Sequence, residues 1–263
     1  MRLEHKMVAV TDGRTAVGRE CITMLCREKA GILIFMHGEP MDQALKEELD
    51  TCHAAYMVTD AGLYDSEALK QSVREAEEAL GPAYGVIYNY FTVVEGSVSN
   101  LTGEQFEKNY KENIQSAMTA AQVFGAAMDS EINGKLIFIG SIHDDKPSGA
   151  YPLFSMAMGA VKNLSREAAL GLGVKNVCSV FVELGPIKED VFAPKSSYTT
   201  LYEGYQYKIP SGTVGSASDT AQLCGFLLDS RCRYVNGTEI RMDGGLLLHY
   251  IDEKANHRGL MRG

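Results

Sequence analysis

The segment Ser141-Ile142-His143-Asp144 combines three residue types that act as nucleophile, base and orienting acid in hydrolytic enzymes. It follows an apolar run at 136–139, so we expect it at the exit of a β-strand. Neighbouring side chains at a strand exit rarely point at one another, and Ser141 is not part of a Gly-x-Ser-x-Gly turn. The sequence therefore does not favour a Ser/His/Asp hydrolase, and we interpret Ser141 as a hydrogen-bonding residue at a strand end.

Asn113 and Tyr151 carry the other polar side chains that we consider for chemistry. An amide can hold a ligand oxygen or a water molecule, and a phenol can donate a proton. Each residue also has a simpler role, because Asn113 can satisfy helix backbone and Tyr151 can line or pack a pocket. Ser141, Asn113 and Tyr151 are thus the candidate catalytic residues, with packing roles as the alternative.

The helix predicted after Tyr151 lacks further acid–base groups near its start. Phe154 has no hydroxyl to donate a proton, and Met158 has no ammonium to lower the pKa of a phenol. Lys162 lies one helical turn after Met158, so the three residues share one helix face. The Lys162 ammonium is a candidate for supplying the positive charge that Met158 lacks, whereas a polar residue at the surface is the simpler interpretation.

The six cysteines form no C-x-x-C pair and have no histidine at zinc-ligand spacing, and we expect no metal site. Most lie in apolar stretches, as reduced core thiols do, which favours a cytoplasmic location. The cysteines are Cys21, Cys26, Cys52, Cys178, Cys224 and Cys232.

The elements that must position these residues alternate along the 263-residue chain. Short apolar runs predict seven strands, at 7–10, 32–36, 55–58, 85–88, 136–139, 177–182 and 239–242. Helical periodicity occupies 18–29, 66–79, 106–128, 156–172 and 218–228. This alternation is typical of an α/β, doubly wound parallel sheet flanked by helices in a single domain.

Composition narrows the range of partners. The hydrophobic content of 45% and charged content of 22% are ordinary for a globular domain, and the net charge of −9 disfavours nucleic acid and anionic membrane surfaces. No apolar run approaches the roughly 20 residues that span a bilayer, and the N-terminus does not resemble a signal peptide. We therefore expect no nucleic-acid and no membrane partner.

Several short motifs occur in a fixed order along the chain. They are Thr11 and Gly18 around the first strand-to-helix turn, Asp60 after strand three, Asn89 after strand four, Asn113 in helix four, Ser141, and Gly185-Pro186-Ile187. Their order, together with Gly-Thr-Glu-Ile-Arg-Met-Asp-Gly-Gly at 237–245, resembles the short-chain dehydrogenase/reductase (SDR) family from about residue 5 to 245. The resemblance implies a Rossmann-like single domain over residues 1–263 and oxidoreductase ancestry. It also implies a lid at 190–216, or else a long surface loop, and a C-terminal extension at 246–263.

The same resemblance assigns the cofactor site, in which Thr11, Gly13, Gly18, Asp60 and Asn89 are the vestigial cofactor-binding residues. The family's Thr-Gly-x-x-x-Gly-x-Gly loop lets backbone N–H groups approach a pyrophosphate.

Two glycines of that loop are replaced in this chain, the first by Asp12 and the second by Ala16. A carboxylate at Asp12 is expected to cap the next helix and to repel a second anion.

Further departures affect the rest of the cofactor site. Met36-His37 stands where the family selects its cofactor ribose, and Tyr90 and Phe91 occupy a place kept small for adenosine. Glu189 stands where a threonine usually meets the nicotinamide carboxamide. We therefore expect no cofactor, with NAD(P) only if the chain is an atypical oxidoreductase.

The family's Tyr-x-x-x-Lys pair is also missing, because its positions are held by Phe154 and Met158. The chain therefore resembles a degenerate family member in which the scaffold is kept and the proton relay is lost.

Assembly is a further expectation from the resemblance, because proteins of the family commonly associate through helices four and five. The small residues at 116, 117, 120, 121 and 125 would allow close helix approach, and the alternative is that they only face the sheet. We therefore expect a homo-oligomer, or a hetero-oligomer with an active SDR subunit.

Three functions follow. The first is a non-catalytic subunit that supports an active paralogue, which resembles the situation in heterotetrameric hydroxyacyl-CoA-type dehydrogenases of anaerobic aromatic degradation. The tyrosines at 202–207 are candidates for shaping a shared pocket. The second is a non-redox lyase, dehydratase or isomerase that uses the old pocket on a small-molecule or acyl-CoA ligand. The third is an atypical NAD(P)-dependent oxidoreductase.

Overall fold

The computed structural model of the protein describes residues 3–189 and 209–248. Seven parallel strands form one sheet in the order β3-β2-β1-β4-β5-β6-β7. The strands are β1 (Met7–Val10), β2 (Gly31–Phe35), β3 (Tyr56–Thr59), β4 (Ala83–Tyr88), β5 (Lys135–Ser141), β6 (Cys178–Leu184) and β7 (Thr238–Met242). The predicted doubly wound α/β architecture is confirmed.

Helices cover both faces of this sheet. They are α1 (Ala16–Arg27), α2 (Gln43–Thr51), α3 (Ser66–Leu80), α4 (Gly103–Asn109), α5 (Ser116–Ala127), α6 (Pro152–Gly173) and α7 (Ala217–Leu228). Within the described ranges, no helix is long and apolar enough to cross a membrane.

The central strands are buried on both faces, which explains why they read as continuous apolar runs rather than alternating ones. Val8 and Val10 of β1 pack towards α1, α2 and α7, whereas Met7 and Ala9 pack towards α3, α5 and α6. Each face of the sheet thus has its own hydrophobic core.

The predicted helix at 106–128 is not α-helical along its whole length. A π-helical turn, Tyr110–Gln115, joins α4 to α5 and contains the buried Asn113. Turns of this kind place one extra residue in the helix and are often found at functional sites.

The small residues of α5 pack inside the chain, contrary to their predicted role in helix–helix assembly. All five are buried, and a side chain at Gly125 would collide with Leu172 of α6. The exposed residues of this region are larger ones: Phe106, Tyr110 and Met118 are 47%, 51% and 46% exposed.

The predicted lid falls mostly outside the described residues, and so does the C-terminal extension beyond residue 248. The described end of the lid segment packs against the body of the domain through Ile209 and Val214, which contact Ile142 and Leu246 in a small apolar cluster.

Candidate functional site

The strand order reverses at β1, which pairs with β2 on one side and β4 on the other. In open α/β sheets, ligands bind at the carboxyl ends of the strands beside this reversal. A cleft that encloses about 70 Å³ lies there. It is lined by Thr15, Ala16, Val17, Asn89, Phe91, Ile139, Gly140, Ser141, Leu184, Gly185, Ile187 and Glu189.

The first wall of the cleft is the start of α1. The Thr15 hydroxyl accepts a hydrogen bond from the Gly18 N–H, so Thr15 caps the helix and the expectation that Asp12 would do so is wrong. The Asp12 carboxylate instead binds Arg14, with Arg14 Nε 2.8 Å from Asp12 Oδ1. Because the Arg14 guanidinium balances the buried carboxylate, Asp12 repels a second anion less than the sequence indicated.

Gly18 is required here by close packing. A Cβ at this position would lie 1.8 Å from the Asp12 carbonyl oxygen. Gly13 is similarly confined, because a Cβ there would lie 2.8 Å from Ile34. Both glycines thus have packing reasons to remain.

Thr11 and Asn89 join the ends of β1 and β4. The Asn89 amide nitrogen donates to the Asp12 carbonyl oxygen at 2.8 Å, and its oxygen accepts from the Asp12 N–H at 2.9 Å. The Thr11 hydroxyl accepts from the Asn89 backbone N–H at 2.9 Å. Of these predicted cofactor residues, Asn89 lines the cleft, whereas Thr11 is fully buried beneath it.

At the end of β2, the His37 ring stacks on Tyr90, with centroids 4.4 Å apart and planes 28° apart. His37 has a φ of 54°, an uncommon conformation for a residue with a side chain, and its Nε2 lies 2.7 Å from the Thr11 carbonyl oxygen. Burial lowers the pKa of His37 below its usual 6.5.

Asp60 lies in the same region, where its carboxylate accepts a hydrogen bond from the Gly38 N–H at 2.8 Å. This contact and the His37–Tyr90 stack lie at the end of the crevice that the family resemblance assigns to adenosine.

An apolar cluster lies where the resemblance places the family's tyrosine and lysine. Phe154, Ala157 and Met158 are 0%, 0% and 2% exposed. They pack against Phe91, Val93, Ile114 and Tyr151. The side chains of Phe154 and Met158 are apolar and are buried without needing polar partners.

Asn113 lies close to this cluster and hydrogen-bonds to the backbone of Thr92. Its amide nitrogen donates to the Thr92 carbonyl oxygen at 2.9 Å, and its oxygen accepts from the Thr92 N–H at 2.7 Å. The amide therefore fixes the loop after β4, whereas the sequence predicted that it would satisfy the backbone of its own helix.

Ser141 and His143 do face each other, contrary to the expectation for neighbours at a strand exit. The Ser141 hydroxyl lies 2.8 Å from His143 Nδ1. The tight 3₁₀ turn Ile142–Asp144 after β5 brings them together, and the Ser141 hydroxyl also accepts from the His143 N–H at 3.4 Å.

His143 lies against the aromatic rings at the start of α6. Its ring centroid is 5.7 Å from Phe154 and 6.4 Å from Tyr151, both in edge-on arrangements. Burial lowers the pKa of His143 below its usual 6.5, which favours a neutral imidazole near neutral pH. Tyr151 itself precedes the first residue of α6 and is half-buried.

Lys162 neither replaces the missing lysine nor lies at the surface. Its ammonium is buried among three carboxylates, 2.7 Å from Asp144, 3.1 Å from Asp145 and 3.2 Å from Glu183. Arg241 of β7 pairs with both Asp145 and Glu183. We call these five residues the Lys162 network.

The network also bears on metal binding. Oxygen atoms of Asp144, Asp145 and Glu183 lie within 4.8 Å of one another, a grouping that the sequence did not suggest. Lys162 and Arg241 already pair with these three carboxylates, so a metal ion bound there would compete with two protein cations.

Sequence reasoning missed two features of this site. The sequence does not predict the contact between His143 and Ser141, because neighbouring side chains at a strand exit usually diverge. The 3₁₀ turn after β5 brings the two together. The partners of Lys162 come from the turn after β5 and from β6, so spacing along α6 gives no signal for them.

Known proteins are similar in sequence to this chain over most of its length. A sequence model of the family described as Enoyl-(Acyl carrier protein) reductase matches residues 13–247. The 3-oxoacyl-[acyl-carrier-protein] reductase MabA of Mycobacterium tuberculosis is 24% identical over 92% of each chain. The NADP-dependent (R)-specific alcohol dehydrogenase of Lentilactobacillus kefiri is 26% identical over 93% of this chain and 97% of its own.

Solved structures agree with this fold. A short-chain dehydrogenase/reductase from Serratia marcescens superposes with a TM-score of 0.83, at 22% identity, over 94% of this chain and 99% of its own. A short chain dehydrogenase from Burkholderia cenocepacia in complex with NADP gives a TM-score of 0.84, at 21% identity, over 94% and 100%. Together with the family match across the cleft, these likenesses establish that the chain belongs to the short-chain dehydrogenase/reductase family.

Proposed function

We propose that this protein has no nicotinamide-dependent hydride transfer of its own and acts as a subunit beside an active SDR paralogue. The observation that carries the proposal is the apolar cluster around Phe154 and Met158, both at most 2% exposed. General acid catalysis needs a group that can give a proton to the ligand oxygen, and neither side chain has one.

The fit of NAD(P) to the crevice supports the same conclusion. The end near α1 keeps a Thr15-capped helix and the close-packed Gly18, features that suit a phosphate. The other end is filled by the stacked rings of His37 and Tyr90. The residues present therefore do not fit a whole dinucleotide, and we derive no step through one.

A surface suited to a partner is present on α4 and the turn that follows. Phe106 and Tyr110 are about half exposed, and Met118 of α5 is 46% exposed. Exposed apolar side chains of this size favour burial against another subunit. Because the family commonly assembles through this region, either a second copy or an active paralogue is the expected partner.

The test combines purification from the native host with nicotinamide titration. We expect the protein to co-purify with a second SDR chain that carries a complete Tyr-x-x-x-Lys. Calorimetric titration of the isolated protein with NADH and NADPH should give no saturable binding. Saturable binding with turnover would instead support an atypical oxidoreductase, as the names of the NADP-dependent relatives allow.

A second candidate function, a non-redox enzyme using the same cleft, is favoured by the pairing of Ser141 with His143. Turnover of a candidate substrate without added nicotinamide would support it.

A further inference from the structure

The cleft keeps a polar pair at its edge although its proton relay has been replaced by apolar side chains. Ser141 lines the cleft, and its hydroxyl lies 2.8 Å from His143 Nδ1. A hydroxyl within hydrogen-bond reach of an imidazole is the arrangement by which proteins activate a serine nucleophile.

We propose that Ser141 and His143 form a nucleophile–base pair in this cleft and that its ligands are esters or thioesters. The proposal goes beyond the subunit role, because this chemistry requires neither a nicotinamide nor a partner chain.

The direction of proton transfer depends on the tautomer of His143. In the proposed pair, the Ser141 hydroxyl donates its single hydrogen to His143 Nδ1, 2.8 Å away, while the backbone N–H of His143 donates to the same hydroxyl oxygen. This arrangement requires the tautomer of His143 that carries its proton on Nε2. A neutral imidazole in that form can accept the serine proton at Nδ1.

The surroundings keep the base neutral and in place. The rings of Phe154 and Tyr151 bury His143, and burial lowers its pKa. The charged groups nearest in sequence, Asp144 and Asp145, are both paired with Lys162. That pairing anchors the turn that carries His143 and turns both carboxylates towards α6.

The cleft walls suit an acyl group. Phe91, Ile139, Leu184 and Ile187 supply apolar surface beside Ser141. Pockets with apolar walls and few convergent polar groups are typical of small-molecule sites.

The reaction balances without an oxidant. Ser141 Oγ bonds to the acyl carbon while its proton passes to His143 Nδ1, and that proton then leaves with the departing alcohol or thiol. Water repeats the transfer on the acyl-serine, so ester and water become carboxylic acid and alcohol.

A fluorophosphonate probe tests the pair directly. Ser141 Oγ would bond to phosphorus, fluoride would leave, and the serine proton would pass to His143. We expect intact-mass analysis to detect one adduct, which peptide mapping places on Ser141, and no such adduct in Ser141→Ala. His143→Gln keeps a hydrogen-bonding side chain without a base, and should label about 100-fold more slowly. Ser99→Ala, on an exposed turn, is the matched control and should label like the wild type.

The pH dependence of labelling separates a base from a structural contact. In the wild type, the rate should fall as pH drops through the pKa of His143, because the protonated imidazole cannot accept a proton. The profile of His143→Gln should be flat over the same range. Absence of a Ser141 adduct in the wild type, or labelling unchanged in rate and pH profile by His143→Gln, would overturn the proposal. If His143→Gln fails to fold by circular dichroism, the wild-type profile alone decides, with a flat profile counting against it.

Discussion

The imidazole of His37 lies on the face of the Tyr90 ring, with 4.4 Å between centroids. The two residues follow different strands, β2 and β4, which flank β1 at the reversal of strand order. Their stack lies at the end of the crevice that the family resemblance assigns to adenosine.

Replacing Tyr90 with alanine should open space for an adenine ring. We expect Tyr90→Ala to bind AMP at least about 10-fold more tightly than the wild type, equivalent to about 1.4 kcal/mol. Calorimetric titration with AMP measures the adenosine end alone, independently of the missing proton relay. Tyr64→Ala, which removes a tyrosine that is 41% exposed, is the control and should leave AMP affinity unchanged. Equal affinity in Tyr90→Ala and wild type would contradict the view that the stack fills this space.

The fold was predictable because its signals are local. Each predicted strand lies within about two residues of an observed one, since the buried parallel strands are continuous apolar runs such as Met7–Val10 and Gly31–Phe35. The break at Tyr110–Gln115 was not predicted, because a π-helical turn keeps the composition of a helix. Regular strands and helices were thus easier to predict than irregular segments such as the π-helical turn.

The candidate site was predicted less completely. The family resemblance singles out the positions of Phe154 and Met158, and their burial agrees with their apolar side chains. The balance of Asp12 by Arg14 depends on a tight turn, and the pairing of Ser141 with His143 depends on another. Turn geometry that aims two neighbouring side chains at each other leaves no periodic signal in the sequence.

Restoring the family's residues should not restore its activity. In the double variant Phe154→Tyr with Met158→Lys, the His37–Tyr90 stack remains in the crevice. The new ammonium would enter the apolar cluster without a partner, a cost of several kcal/mol in the free energy of unfolding. NADH and NADPH oxidation with a panel of carbonyl substrates should remain at background, and urea denaturation should reveal the destabilisation.

The matched control for that variant is Met158→Leu, which conserves volume and should cost less than about 1.5 kcal/mol. Nicotinamide-dependent turnover in the double variant would mean that the crevice still admits the whole cofactor.

Removing the Lys162 ammonium from its network should strongly lower the free energy of unfolding. Lys162→Met leaves Asp144, Asp145 and Glu183 with Arg241 as their remaining cation, and we expect a loss of about 3–5 kcal/mol. Lys70→Met is the control, because Lys70 pairs with Glu67 on the exposed face of α3 and should cost at most about 1 kcal/mol. Urea denaturation of both variants at neutral pH measures the difference. Similar losses in the two variants would indicate that the network is as weakly coupled as a surface ion pair.

The same network predicts an unusual pH response centred on Asp144. Burial, and then the neighbouring Glu183, raise the pKa of Asp144 from 3.8 to about 6. Its folded-state pKa lies above its unfolded value, so the folded protein binds a proton more readily and the ionised carboxylate destabilises the fold above about pH 6. The contribution of Asp144 to the free energy of unfolding should therefore become more favourable as pH falls from about 6 towards 4. Asp145 and Glu183 respond in the opposite sense, because lysine and arginine partners lower their pKa values and their contribution is lost only at lower pH.

Asp144→Asn isolates the first of these contributions, because asparagine keeps the shape of the side chain without its charge. We expect the variant to be more stable than the wild type by roughly 3 kcal/mol at pH 8, for a pKa raised from 3.8 to about 6, and by roughly half of that at pH 5. Urea denaturation at the two pH values provides the comparison. A variant less stable than the wild type at pH 8 would mean that the attraction between the Asp144 carboxylate and Lys162 outweighs the cost of burying that charge.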